Sequence, residues 1–227
     1  MEGTSANAAL AVNLALAVGA WRAGAIAASG ALAGAAYGAC VALGLGLPGY
    51  AVLAWFVVVG SGATRVGARR KPPHEPRSAR HATANCAVAA LVALLAATRP
   101  ELVWRAAFVG ALAAALADTI ESELGVVWGR RAWLPTTWRS CPPGTEGAVS
   151  VAGTLLGLAA AAATAGLGAL VGLVPAVSVP TLALAATAAT GLESWLGARW
   201  TWSNEALNLV TTAGGALLGT LSVAWSS

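Results

Sequence analysis

The stretch WRAAFVGALAAALADTIESELGVVWGRR, residues 104–131, decides the fold. Positions 106–117 carry no charge and are built from Ala, Leu, Val, Gly and Phe. Asp118, Glu121 and Glu123 follow within six positions, and Arg130 and Arg131 close the stretch. Polar and apolar residues do not alternate, so the run reads as a lipid-spanning helix and not as a barrel strand. Ionisable groups at such a depth are costly, and a functional reading of the three acids is the default.

The rest of the chain extends this reading. Its 227 residues are 58% hydrophobic and 10% charged, with mean hydropathy +0.73, whereas soluble domains carry about 25% charged residues. The fold class expected is all-α, a polytopic transmembrane helix bundle of about eight spans in a single integral-membrane domain over 1–227. The apolar stock is rich in Ala and Gly, which let helix backbones approach closely. The formal charge of +4 sits in a few loops, so no nucleic-acid partner is expected. Cys40, Cys86 and Cys141 are too scattered for a disulfide framework or a metal-ligand spacing and read as small buried residues.

A helix needs about 20 apolar residues to cross the hydrocarbon core. Segments near 5–21, 24–47, 50–66, 83–98, 102–124, 148–173, 179–199 and 205–225 fit, with Pro48, Pro100, Pro175 and Pro180 at the turns. The first, NAALAVNLALAVGAW, is preceded by Glu2 as the one charge and reads as a helix, not a cleaved signal core. The opposite turns hold only Arg99 and Arg105, whereas the other Lys and Arg residues fall in loops near 65–82, 125–147 and 199–205, with Arg22 at a further turn. With eight spans these loops and the Arg22 turn all lie on one side, the cytoplasmic or stromal one. The membrane expected is the bacterial cytoplasmic membrane, or a plastid membrane in a eukaryote.

The same count brings Asp118, Glu121, Glu123, Glu146, Glu193, Glu205, Asn85, Asn204 and Asn208 to that basic face. The middle of each span is apolar, which favours an interfacial active site over a transport path. Carboxylates with Asn, Ser and Thr make an oxygen-rich site suited to Mg²⁺. Arginines nearby suit phosphate. The segment CPPGTEGAVSVAGTLLGL, 141–158, places a Gly-rich turn with Gly144, Thr145, Glu146 and Gly147 before a helix, and a helix N-terminus receives anions well. It is not a Walker A loop, because Lys71, in another loop, is the one lysine of the chain. His74 and His81 both fall in the basic loop and suggest no catalytic dyad.

Five blocks in order carry a resemblance: ADTIESELG, TTW, PPGTEGAVSVAGTLLGL, GLESWLGA and SNEALNLVTTAGGALLG. Upstream, WRAGAIAASGALAG and RHATANCAVAALVALL add to it. Together they resemble the integral-membrane family that contains the phytyl-phosphate kinases of plants and cyanobacteria, related to polyprenol kinases and CTP-dependent cytidylyltransferases. The resemblance implies transfer of a phosphoryl group from CTP, with Mg²⁺, to a prenyl monophosphate. It marks Asp118, Thr119, Ser122 and Glu123, then Gly144, Thr145, Gly147 and Gly153. It also marks Glu193 and Ser194, Asn204 and Asn208, and Arg80 and Asn85. Glu205 stands where the family usually has Asp, and Glu121 is not a signature position.

The expected roles follow. Asp118, Glu123 and Glu193 are the catalytic set, and with Glu205 they are the Mg²⁺ ligands. Arg139 and the GTEG turn hold phosphate. The partners are the prenyl monophosphate lipid, CTP and membrane lipids, and whether the chain forms a homo-oligomer stays open. A cytidylyltransferase acting on a lipid phosphate and a lipid-phosphate transporter or flippase are the alternatives.

Overall fold

The computed structural model describes residues 2–24, 26–70, 77–99 and 101–224. Lys71, His74, Pro100 and the middle of the expected loop 65–82 lie outside them. Among the described residues there are seven α-helices: α1 (Glu2–Arg22), α2 (Ala28–Gly67), α3 (Ala79–Thr98), α4 (Leu102–Trp128), α5 (Val151–Leu170), α6 (Val179–Arg199) and α7 (Asn204–Ala224). Six of them, α2 to α7, are long and apolar enough to cross a membrane.

The second and third of the eight expected segments form the two limbs of α2. Its 40 residues would reach about 60 Å if straight, twice the thickness of a hydrocarbon core. The helix is instead broken at Gly46, with φ 60° and ψ −151°, two residues before Pro48. That backbone region is open essentially to glycine alone. Its effect is visible at Arg77. The Ala27 N–H donates to the Arg77 carbonyl at 3.1 Å, and Arg77 Nη2 donates to Thr64 Oγ1 at 2.6 Å. Residues at opposite ends of α2 thus meet at one arginine. The two limbs, 28–45 and 47–67, fold back on each other and α2 crosses twice. With α1, the chain presents eight helical segments.

α4 is the axis of the bundle. Every residue from Ala106 to Ala117 is buried, because Ala and Gly let its neighbours close in from all sides. Against α7, a Cβ added to Gly110 would overlap the Gly215 carbonyl oxygen, so the two backbones touch where both residues lack side chains. Near its C-terminal end α4 meets α5 in the same manner, with Gly153 Cα 3.4 Å from the Cβ position of Gly125.

The stretch between α4 and α5, read from sequence as loop, carries a small hairpin of β1 (Ala132–Trp133) and β2 (Ser140–Cys141). Trp133 also pairs with Val149, which ties the hairpin to the start of α5. Between α6 and α7, Trp200 packs edge-on against Trp195 at 5.5 Å and stacks on Trp202 at 6.0 Å. These exposed rings suit a membrane–water boundary.

Candidate functional site

The α2 reversal gathers the functional ends on one face. They are both ends of α2, the start of α3, the end of α4, the start of α5, the end of α6 and the start of α7. Between them lies a cavity of ≈ 1230 Å³. Asn85, Asp118, Thr119, Ser122, Glu123, Gly144, Thr145, Glu146, Gly147, Glu193, Ser194, Asn204 and Asn208 all line it.

The acids divide into two groups. Asp118 and Glu193 are hydrogen-bonded to each other across α4 and α6. Glu193 Oε2 also accepts from Thr211 Oγ1 of α7 at 2.6 Å. Glu121, one turn beyond Asp118, accepts from Thr190 Oγ1 at 3.1 Å and senses the charge of Glu193. Glu123 points elsewhere. It lies about 140° around the helix from Asp118, buried against Gly67 of α2, where its charge acts on Arg77. Glu121, not Glu123, therefore shares the α6-facing wall of Asp118.

Two carboxyls in hydrogen-bonding contact hold a proton between them or a cation beside them, since like charges at that distance cannot both stand alone. Among the described residues no three His, Cys, Asp or Glu side chains form a preformed metal cage. The donor chemistry at Asp118 and Glu193 nevertheless fits Mg²⁺, which takes one or two carboxylates and completes its shell with water and substrate phosphates. The expected set of four is not gathered: Glu123 faces α2, and Glu205 is not on the cavity wall but near the charges of Arg80 and His81.

The GTEG turn lines the cavity. Thr145 bonds back to the Pro142 carbonyl through its N–H at 3.2 Å and its hydroxyl at 2.7 Å. Gly144 and Gly147 adopt φ 90° and 70°. A Cβ on Gly147 would overlap the Ala198 backbone N and stand 2.7 Å from the Ser194 carbonyl oxygen, so the turn is seated directly on α6. The turn does not itself begin α5. Ser150 is the N-cap, and its Oγ accepts from the Gly153 N–H at 3.1 Å.

The basic groups differ from the expected ones. Arg80 and Arg139 are exposed and do not line the cavity, whereas Arg65 and Arg77 do. Arg77 is held by Thr64 and lies within the field of the Glu123 charge. Burial pulls its guanidinium below the ordinary arginine value, and the Glu123 charge opposes that shift. Among the wall residues that the sequence reading passed over as site residues are Arg77 and Glu121. The i, i+3 spacing of Asp118 and Glu121 signals the second, while nothing local distinguishes Arg77 from Arg80.

The family described as integral membrane protein DUF92 matches residues 11–221. An uncharacterised membrane protein of Synechocystis is 41% identical over 189 residues, 77% of this chain and 73% of that one. The chloroplast protein VTE6 of Arabidopsis thaliana is 29% identical over 196 residues, 78% of this chain and 59% of that protein. An uncharacterised membrane protein of Methanocaldococcus jannaschii is 30% identical over 176 residues, covering 73% of this chain and 72% of its own. No solved structure matches.

Proposed function

This chain belongs to the integral membrane family DUF92, and from that premise we propose that it transfers a phosphoryl group from CTP to a prenyl monophosphate. The family is the one to which the sequence blocks point, with the phytyl-phosphate kinases of plants and cyanobacteria among its members. One observation carries the reading. A single cavity joins the Asp118–Glu193 pair, Arg77 and the GTEG turn to a stretch of apolar wall between α1 and α2. A substrate with a phosphate head and a hydrocarbon tail needs both environments in contact.

The reaction needs few chemical groups from the protein. A phosphate oxygen of the lipid attacks the γ-phosphorus of CTP, the bond from that phosphorus to the β–γ bridging oxygen breaks, and CDP leaves. The attacking oxygen is already anionic, so no general base is required. Positioning and charge neutralisation supply most of the rate in such transfers. Arg77 presents its guanidinium fork to phosphate oxygens, and Thr64 holds it in place. The GTEG backbone lies close enough to receive phosphate because neither glycine carries a Cβ. Asp118 and Glu193 are the residues that would hold Mg²⁺, which supplies charge neutralisation at the phosphates when bound. The basic face, and the site with it, is assigned to the cytoplasmic or stromal side.

The test uses purified protein in detergent with Mg²⁺, each of the four nucleoside triphosphates and a panel of prenyl monophosphates. CDP and prenyl diphosphate are expected, with loss of both in Asp118→Asn. Pyrophosphate with a CMP-lipid would move the reaction to cytidylyl transfer. Neither product with any lipid would remove the kinase reading.

A further inference from the structure

The cavity does not end at the acids. A branch continues between α1 and the two limbs of α2, walled by Leu16, Gly34, Leu53, Val57 and Val58 among others. Three features define it. Most of the α1 and α2 residues that line it are apolar. Its outer wall is shared with the bilayer, since Leu16, Val57 and Val58 are 49%, 47% and 65% exposed. Its floor is polar but closed: Asn13 Nδ2 donates to the Ala35 carbonyl at 2.8 Å, and the Tyr50 hydroxyl donates to Asn13 Oδ1 at 3.4 Å. Those bonds satisfy the two side chains internally. Ala35 lies eight residues beyond Ala27, which bonds Arg77, so the floor stands about 12 Å below that arginine along the limb.

We infer that this branch is the binding site of the isoprenoid tail, entered sideways from the membrane and bounded in depth by the Asn13–Tyr50 pair. The inference rests on the prenyl phosphate reading and deepens it. A tail lying there places its phosphate between Arg77 and the Asp118–Glu193 pair, with no need to lift the hydrocarbon out of lipid. A water-filled path would instead have its polar groups free to bond solvent, and here they are bonded to each other. Gly34 is the position that sets the bore. A Cβ there would meet nothing within 4 Å, so a larger side chain enters the branch without pushing on a neighbouring helix.

Two measurements test this. The first compares kcat/KM for geranylgeranyl and dimethylallyl phosphates in the wild type and in Gly34→Leu. The ratio of long to short is expected to fall about tenfold or more, because the lost apolar contacts affect the long chain alone. An unchanged ratio would overturn the assignment. The second uses a geranylgeranyl phosphate with a diazirine near the end of its tail, photolysed on the wild-type protein, with adducts located by mass spectrometry. Adducts on α1 and on the α2 limbs are expected, and adducts confined to α5, α6 or α7 would overturn it. The label needs no turnover. If the wild type forms no prenyl diphosphate, the kinase reading falls alone, while the label still decides where the tail lies.

Discussion

Gly144 and Gly147 bracket the same turn and share a backbone conformation hostile to side chains, yet they are predicted to respond differently to alanine. A positive φ costs an L-residue about 1–2 kcal/mol, and both substitutions incur it. At Gly144 that is the whole effect, because the added methyl would meet Val126 Cγ2 at 3.5 Å, an ordinary contact. At Gly147 the methyl would overlap the Ala198 backbone N and crowd the Ser194 carbonyl at 2.7 Å. Neither partner can swing away, since both are α6 backbone. The turn must lift from α6 by roughly 1 Å, a displacement that can cost about 10²-fold in rate when it misplaces a reacting group. Gly147→Ala should therefore lose about 10²-fold in kcat/KM for the nucleotide, and Gly144→Ala about tenfold or less. Nucleoside diphosphate release by purified protein gives the rates, and thermal unfolding in detergent confirms that both variants fold. Equal losses would refute the view that seating on α6 makes the turn a phosphate cradle.

Further outcomes follow from the same geometry. Asp118→Asn and Glu193→Gln should each lower kcat by about 10²-fold or more if they flank the transferred charge, measured with saturating Mg²⁺ and nucleotide. Thr211→Val removes the donor to Glu193 and should lower stability by about 1–2 kcal/mol, read as a fall in Tm. Arg77→Met removes a cation that acts on the buried Glu123 charge and should destabilise by about 3 kcal/mol. Adding Glu123→Gln to Arg77→Met should recover part of that Tm, and no recovery would break the argued coupling. Arg139→Ala, on the exposed hairpin, should alter stability by no more than about 0.5 kcal/mol.

The helices were legible because lipid imposes a simple rule, long uninterrupted apolar runs punctuated by Pro and charge. That rule separates segments 24–47 and 50–66 correctly, although it sets the turn at Pro48, whereas the break is a backbone angle at Gly46, two residues earlier. The convergence of Asp118 with Glu193 was legible by the same counting of crossings. Direction was not. Arg80 and Arg139 have the right charge, but Arg80 sits on the exposed side of the first turn of α3 and Arg139 on the outer hairpin. Arg77, three residues before Arg80, lies in the extended approach to α3 and turns inward to Thr64. Glu121 was visible by helical spacing and set aside because the family blocks do not mark it, while Glu123, which they do mark, faces the arginine. The family blocks thus mark residues at the site without saying which wall each stands on.

The reversal at Gly46 has an effect far beyond its own neighbourhood. A chain that crosses a membrane keeps a running parity, and each crossing inverts the side on which everything downstream emerges. Were the two limbs of α2 to run on as one, α3 to α7 would all arrive inverted. Arg77 would then stand across the bilayer from Ala27, whose N–H now donates to the Arg77 carbonyl. A single left-handed backbone angle in the first quarter of the sequence thus sets the sidedness of Asp118 and Glu193, 72 and 147 residues later, and any residue other than glycine at that point would disturb a site it never touches.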